Sequence, residues 1–120
     1  MIYVDTNILL RYILRDNPEL SPRAKSILME NECYVVPEVI PEVVYVLQKV
    51  YGYARQDVAA AVMQLLQLIV LDNRQIVQYA LKCYAETNFD YVDCLLAAHS
   101  RLRVVSVQTF DRNLAHYMNR

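Results

Sequence analysis

Met1-Ile2-Tyr3-Val4-Asp5-Thr6-Asn7-Ile8-Leu9-Leu10 opens the chain, and its reading decides the fold. Ile2-Tyr3-Val4 is an apolar cluster of strand length that runs straight into a carboxylate. Ile8, Leu9, Tyr12 and Ile13 then share one face of a helix. The same change of period recurs downstream, where Tyr34-Val35-Val36, Ile69-Val70-Leu71 and Val104-Val105-Ser106-Val107 are the further strand candidates. Strands that are apolar throughout and alternate with helices imply a parallel sheet covered on both faces. The expected fold is therefore α/β, a three-layer α/β/α sandwich, in one domain over residues 1–120.

The helices between the strands carry their own punctuation. Ser21 followed by Pro22 predicts the start of a second helix, and Pro41 suits the start of a third that presents Val43, Leu47 and Val50. Gly52, the one glycine, is expected to end it. Val58, Val62, Leu65 and Leu66 predict a fourth helix, Ile76, Val77, Ala80, Leu81 and Tyr84 a fifth, and Val92, Leu95, Leu96 and His99 a sixth. A short last helix is expected between Phe110 and Tyr117.

Composition narrows the class. At 120 residues, 56% hydrophobic and 21% charged, the chain is neither disordered nor a disulfide scaffold. Its net charge of -1 gives no global support to a nucleic-acid partner, so any basic surface must be local. The near-apolar run Val58–Leu71 contains Gln64 and Gln67 and falls short of the roughly 20 residues a membrane helix needs. Cys33, Cys83 and Cys94 are odd in number and irregular in spacing, which fits reduced, buried thiols in a cytoplasmic protein.

In an open parallel sheet, ligands bind beyond the carboxyl ends of the strands. Asp5 follows the first strand, Glu42 heads the helix after the second, Asp90 and Asp93 open the sixth helix, and Asp111 follows the fourth strand. Asp90 and Asp93, three residues apart, are separated by about 60° around a helix axis and can face one site. Each acidic residue alone has an ordinary explanation in the first turn of a helix. Gathered together they would repel one another unless a cation neutralised them. Hard oxygen donors without a usable His or Cys pairing point to Mg²⁺ or Mn²⁺ rather than zinc.

Four stretches in this order resemble the PIN-domain nucleases, and especially the VapC-type toxins of toxin–antitoxin pairs. They are the strand into Asp5-Thr6-Asn7, Glu42 leading Val43-Val44-Tyr45-Val46-Leu47, Phe89 to Ala98 with Asp90 and Asp93, and Thr109-Phe110-Asp111. The resemblance spans nearly the whole chain. It implies a PIN-like parallel sheet of four or five strands and places the family's acidic residues on Asp5, Glu42, Asp93 and Asp111, with Asp90 as a frequent extra. Asn7 and Thr109 match polar positions that support the carboxylates. Asn113 stands where relatives often carry another Asp, the chain stops at Arg120 where many add a fifth strand, and Cys94 replaces a usual Ala.

The resemblance further implies hydrolysis of RNA by water, leaving a 5′-phosphate and a 3′-hydroxyl, by an endoribonuclease that is the toxin of a type II pair. Asp5, Asp93 and Asp111 would hold one or two ions, while Glu42 would hold a water or act as general base. Asn7, Arg11 and Arg15 recur every four residues, and Arg112 adjoins Asp111. That stripe is either a phosphate track or an ordinary solvated helix face. The apolar excess favours a homodimer or higher oligomer and a groove for an antitoxin. A haloacid-dehalogenase-type phosphatase would need Asp rather than Asn at position 7, and a phosphate receiver would need a late lysine, whereas the lysines are Lys25, Lys49 and Lys82. The remaining alternative is a PIN-like module that binds RNA or protein without cutting it.

Overall fold

The computed structural model describes residues 1–120, which divide into two compact units, Met1–Asp72 and Asn73–Arg120. The first unit runs β1 (Ile2–Tyr3), α1 (Thr6–Leu14), α2 (Leu20–Glu30), β2 (Cys33–Tyr34), α3 (Val39–Lys49) and α4 (Arg55–Leu65), and continues into a 3₁₀ turn at Leu66–Leu68. The second holds α5 (Arg74–Glu86), α6 (Tyr91–Leu102) and α7 (Arg112–Met118). All seven expected helices are present.

In the first unit β1 and β2 pair in parallel, Ile2 opposite Cys33 and Tyr3 opposite Tyr34. The third strand candidate supplies one parallel bridge, Tyr34 to Val70, closed by Val35 N–H to the Val70 carbonyl (3.2 Å) and Val70 N–H to the Cys33 carbonyl (2.7 Å). α1 packs on α2, α3 and α4, and α3 packs on α4. Leu9, Val43, Leu47, Val58, Val62 and Leu65 are wholly buried among them. The helical periodicity of the sequence thus becomes a core.

The sheet is narrower than the sequence suggests. Val104–Val107 forms no strand, because Val104 adopts φ 53°, a left-handed conformation that breaks the extended path, and Val104 to Ser106 lie exposed. Nor is β1 covered on both faces, since Tyr3 is 66% exposed and rests against the Tyr34 ring at 5.7 Å. Ser21 is not the cap of α2: the Asn17 side chain accepts the Glu19 and Leu20 N–H groups (3.0 and 2.8 Å), while Ser21 Oγ turns back to accept from Asn17 N–H. α3 starts two residues ahead of Pro41, which sits inside its first turn, where a missing N–H breaks no intrahelical bond. Gly52, at φ 70°, follows that helix as expected, in a conformation that suits glycine.

In the second unit α5 packs chiefly against α6, and α6 against α7. Ala80, Leu81, Cys83, Tyr84, Cys94 and Ala98 are buried there. All three cysteines are buried free thiols. No helix is long and apolar enough to cross a membrane.

Candidate metal centre

Parallel pairing of β1 and β2 sends both chains to the same edge of the sheet, from which α1 and α3 depart. Asp5 is the N-cap of α1, extended at φ −102° and ψ −179°, and its Oδ1 accepts from Ile8 N–H at 3.1 Å. Glu42 lies exposed in the first turn of α3. Asn7, also exposed, lies in the first turn of α1. The first unit therefore offers two carboxylates at the heads of its two strand-following helices.

The second unit gathers three. A cavity of about 440 Å³ is lined by Thr87, Asn88, Phe89, Asp90, Asp93, Asp111 and Asn113. Asp90 is the N-cap of α6 in extended conformation, yet its side chain caps no N–H, so its carboxylate is not spent on the helix. Asp93 follows one turn on and is half-buried. Burial, then the negative charges of Asp90 and Asp111, hold the Asp93 carboxyl above its usual range. No lysine or arginine lines this cavity.

Asp111 is fixed from two sides. Its backbone N–H donates to Thr109 Oγ1 (3.0 Å), and its Oδ1 accepts from Leu114 N–H (3.1 Å) to cap α7. Leu114, beneath that cap, is buried. Thr109 thus supports a carboxylate through the backbone. Thr87 does similar work across the cavity, donating to the Cys83 carbonyl at 2.8 Å and accepting from Phe89 N–H at 3.3 Å. Thr87, Asn88 and Phe89 were not legible as site residues. The one sequence sign was a hydroxyl two residues before Phe89, as Thr109 stands two before Asp111.

The basic residues part company. Arg11 forms a 2.9 Å ion pair with Asp16 and donates to Tyr51 Oη at 3.3 Å, so its charge is matched inside its own unit. The Tyr51 hydrogen bond and the Asp16 charge outweigh desolvation and raise its pKa. Arg15 takes φ 52° as the residue closing α1 and, with Lys25 and Tyr12, lines a separate cleft of about 420 Å³. Arg112 opens α7, exposed beside Asp111. The helical stripe Asn7–Arg11–Arg15 is therefore interrupted at its middle member.

Nowhere in the chain do three His, Cys, Asp or Glu side chains stand close enough to ligate one ion directly. The donor set nonetheless fits a hard divalent cation. Three carboxylates share a cavity without a counter-charge, and Mg²⁺ keeps several of its waters, binding through one or two carboxylates rather than a full protein cage. The arrangement matches an outer-shell or loosely held ion and does not match a closed structural metal site.

Carboxylates at the heads of helices that follow parallel strands, with a second acidic set on a helical unit, describe an α/β protein whose candidate site is acidic. The PIN-domain family model matches residues 2–118, and the chain belongs to the PIN-domain family. PIN domains are generally nucleases that act on RNA, typically with divalent metal ions. No curated protein sequence matches the chain.

Proposed function

We propose that this PIN domain is a Mg²⁺- or Mn²⁺-dependent endoribonuclease, acting in the cytoplasm as the toxin of a type II toxin–antitoxin pair. The observation that carries the reading is the acidic cavity of Asp90, Asp93 and Asp111, where burial and then the neighbouring carboxylates hold Asp93 above its usual range and no basic residue lines the walls. Asp90, Asp93 and Asp111 would hold the ion, and Asp5 and Glu42 are the further carboxylates on which activity depends. A bound ion supplies charge neutralisation at the scissile phosphate and acidifies the attacking water. Glu42, exposed at the head of α3, would hold a water or act as the general base. Thr109 keeps Asp111 in place, Asn7 supports the carboxylate of Asp5, and Arg112 draws the phosphate backbone in. Arg15 contributes to phosphate binding, and Arg11 acts chiefly through Asp16 and Tyr51.

The chain is proposed to act as one domain over residues 1–120, in a homodimer or higher oligomer held in check by a cognate antitoxin. Exposed Tyr45, Val50 and Tyr51 around the end of α3 supply apolar surface for such contacts. A second reading, a PIN-like module that binds RNA or protein without cutting, draws on Asn113 in the cavity and on the absence of three directly ligating side chains. Incubating purified protein with RNA in Mg²⁺ separates the two. The enzyme reading requires cleavage that EDTA and Asp5→Asn each abolish, with a defined set of new 5′-phosphate ends on sequencing. Cleavage by Asp5→Asn at the wild-type rate would assign the activity to a contaminant or another site.

A further inference from the structure

Phe110 is 107% exposed, the most exposed apolar side chain in the protein. The only other phenylalanine, Phe89, lies half-buried at 5.5 Å from the Tyr117 ring, edge to face. Scattered apolar side chains on a surface need no explanation, but this one is held in a particular place. The backbone after it is pinned by the Asp111 N–H to Thr109 Oγ1 bond, which spans Phe110 itself, and then by the Asp111 cap on α7. The ring is therefore presented to solvent from a fixed turn. The next two residues along the chain are Asp111, a carboxylate of the acidic cavity, and exposed Arg112.

We infer that Phe110 is a base-stacking residue, taking an unpaired nucleobase next to the phosphate that the acidic cavity receives. This rests on the ribonuclease reading and adds to it that the strand at this point is single. Consecutive Cα atoms lie about 3.8 Å apart, so a phosphate brought to Asp111 leaves its neighbouring base within reach of residue 110. An aromatic face accepts any base without reading its hydrogen-bond edge, but only where the base has left its own helix. Charge complementarity selects the occupant. A fully exposed ring followed by an exposed guanidinium matches a base with its phosphate, whereas a protein partner covering the ring would desolvate Asp111 and Arg112 beside it. Phe110 positions substrate and takes no part in bond breaking.

The chain contains no tryptophan, so Phe110→Trp introduces a single indole reporter. It is combined with Asp93→Asn to stop cleavage and titrated with a single-stranded oligoribonucleotide, then with the same strand annealed to its complement. The expected result is saturable quenching by the single strand and little by the duplex. In the otherwise wild-type enzyme, Phe110→Ala should raise KM about tenfold with kcat nearly unchanged, and Phe110→Tyr should restore it, as one lost stacking contact implies. RNA that binds, by anisotropy of a labelled strand, without altering indole emission overturns the inference and leaves the ribonuclease reading standing. Emission that shifts with protein concentration alone also overturns it and makes the ring a protein-contact residue. Wild-type protein that neither binds nor cuts RNA overturns both readings.

Discussion

Asp111 carries two duties that substitution can separate. As N-cap of α7 its Oδ1 accepts from Leu114 N–H at 3.1 Å, and as a wall of the acidic cavity it adds negative charge beside Asp93. Asp111→Ala removes both. Loss of an N-cap side chain costs about 1 kcal/mol, which lowers Tm by about 4 °C in a chain of this length. Asp111→Asn keeps an oxygen able to cap, since Asn and Asp cap about equally well. It forfeits a charge–dipole attraction of about 0.5 kcal/mol at the helix start, and relief of the repulsion on Asp93 works against that loss. Net stability should therefore stay within about 0.5 kcal/mol of wild type. Cleavage should nonetheless fall by at least about a hundredfold in both variants, because an amide is a poor substitute for a carboxylate at a divalent cation. Thermal unfolding by circular dichroism and gel-based RNA cleavage read the two duties independently. An Asn variant as unstable as the Ala variant would refute the capping argument. An Asn variant that cuts at the wild-type rate would make Asp111 a cap and nothing more.

Asp93 makes stability depend on pH and metal. The folded state binds its proton more tightly than the unfolded chain does. Its contribution is thus present below the ordinary carboxylate range and is lost as pH rises through the raised value. Denaturant titrations without metal should show that decline, and Asp93→Asn or saturating Mn²⁺ should flatten it, the ion adding about 2.7 kcal/mol at a hundred times its Kd. Tyr91 is 6% exposed and its hydroxyl has no hydrogen-bond partner. Tyr91→Phe should therefore stabilise the protein by about 1 kcal/mol in urea unfolding; a loss of stability would mean the hydroxyl is satisfied. The Arg11–Asp16 pair should show a double-mutant coupling of less than about 1 kcal/mol that shrinks with salt. Arg112→Ala should weaken RNA binding at every sequence and reduce the salt slope by about 0.7, the share of one phosphate contact on a single strand.

Much of this molecule was legible because helical spacing is a local property. Val43 and Leu47, or Ala80, Leu81 and Tyr84, fall on one face by arithmetic alone, and all of them are buried. Capping was legible less often. Asn17 and Ser21 both stand near the start of α2, and which oxygen caps depends on how the turn folds, so Ser21 lost the role to Asn17. Asp5 and Asp111 show the opposite case, because an acidic residue ahead of a helical pattern does cap in both places.

Sequence by itself determined that helices alternate with short apolar segments, that carboxylates stand at helix starts, and that the thiols are buried. Each follows from residue type and short-range spacing. Tertiary structure alone decided how wide the sheet is, since a β-rich run such as Val104–Val107 becomes a strand only if its backbone stays extended and finds a ladder. It alone removed Arg11 from the basic stripe, through Tyr51 forty residues away, and it alone raised Asp93, through burial first and then the charges of Asp90 and of Asp111 on another helix. Charges and hydrogen bonds act through space, and the partners that set them are brought near only by folding.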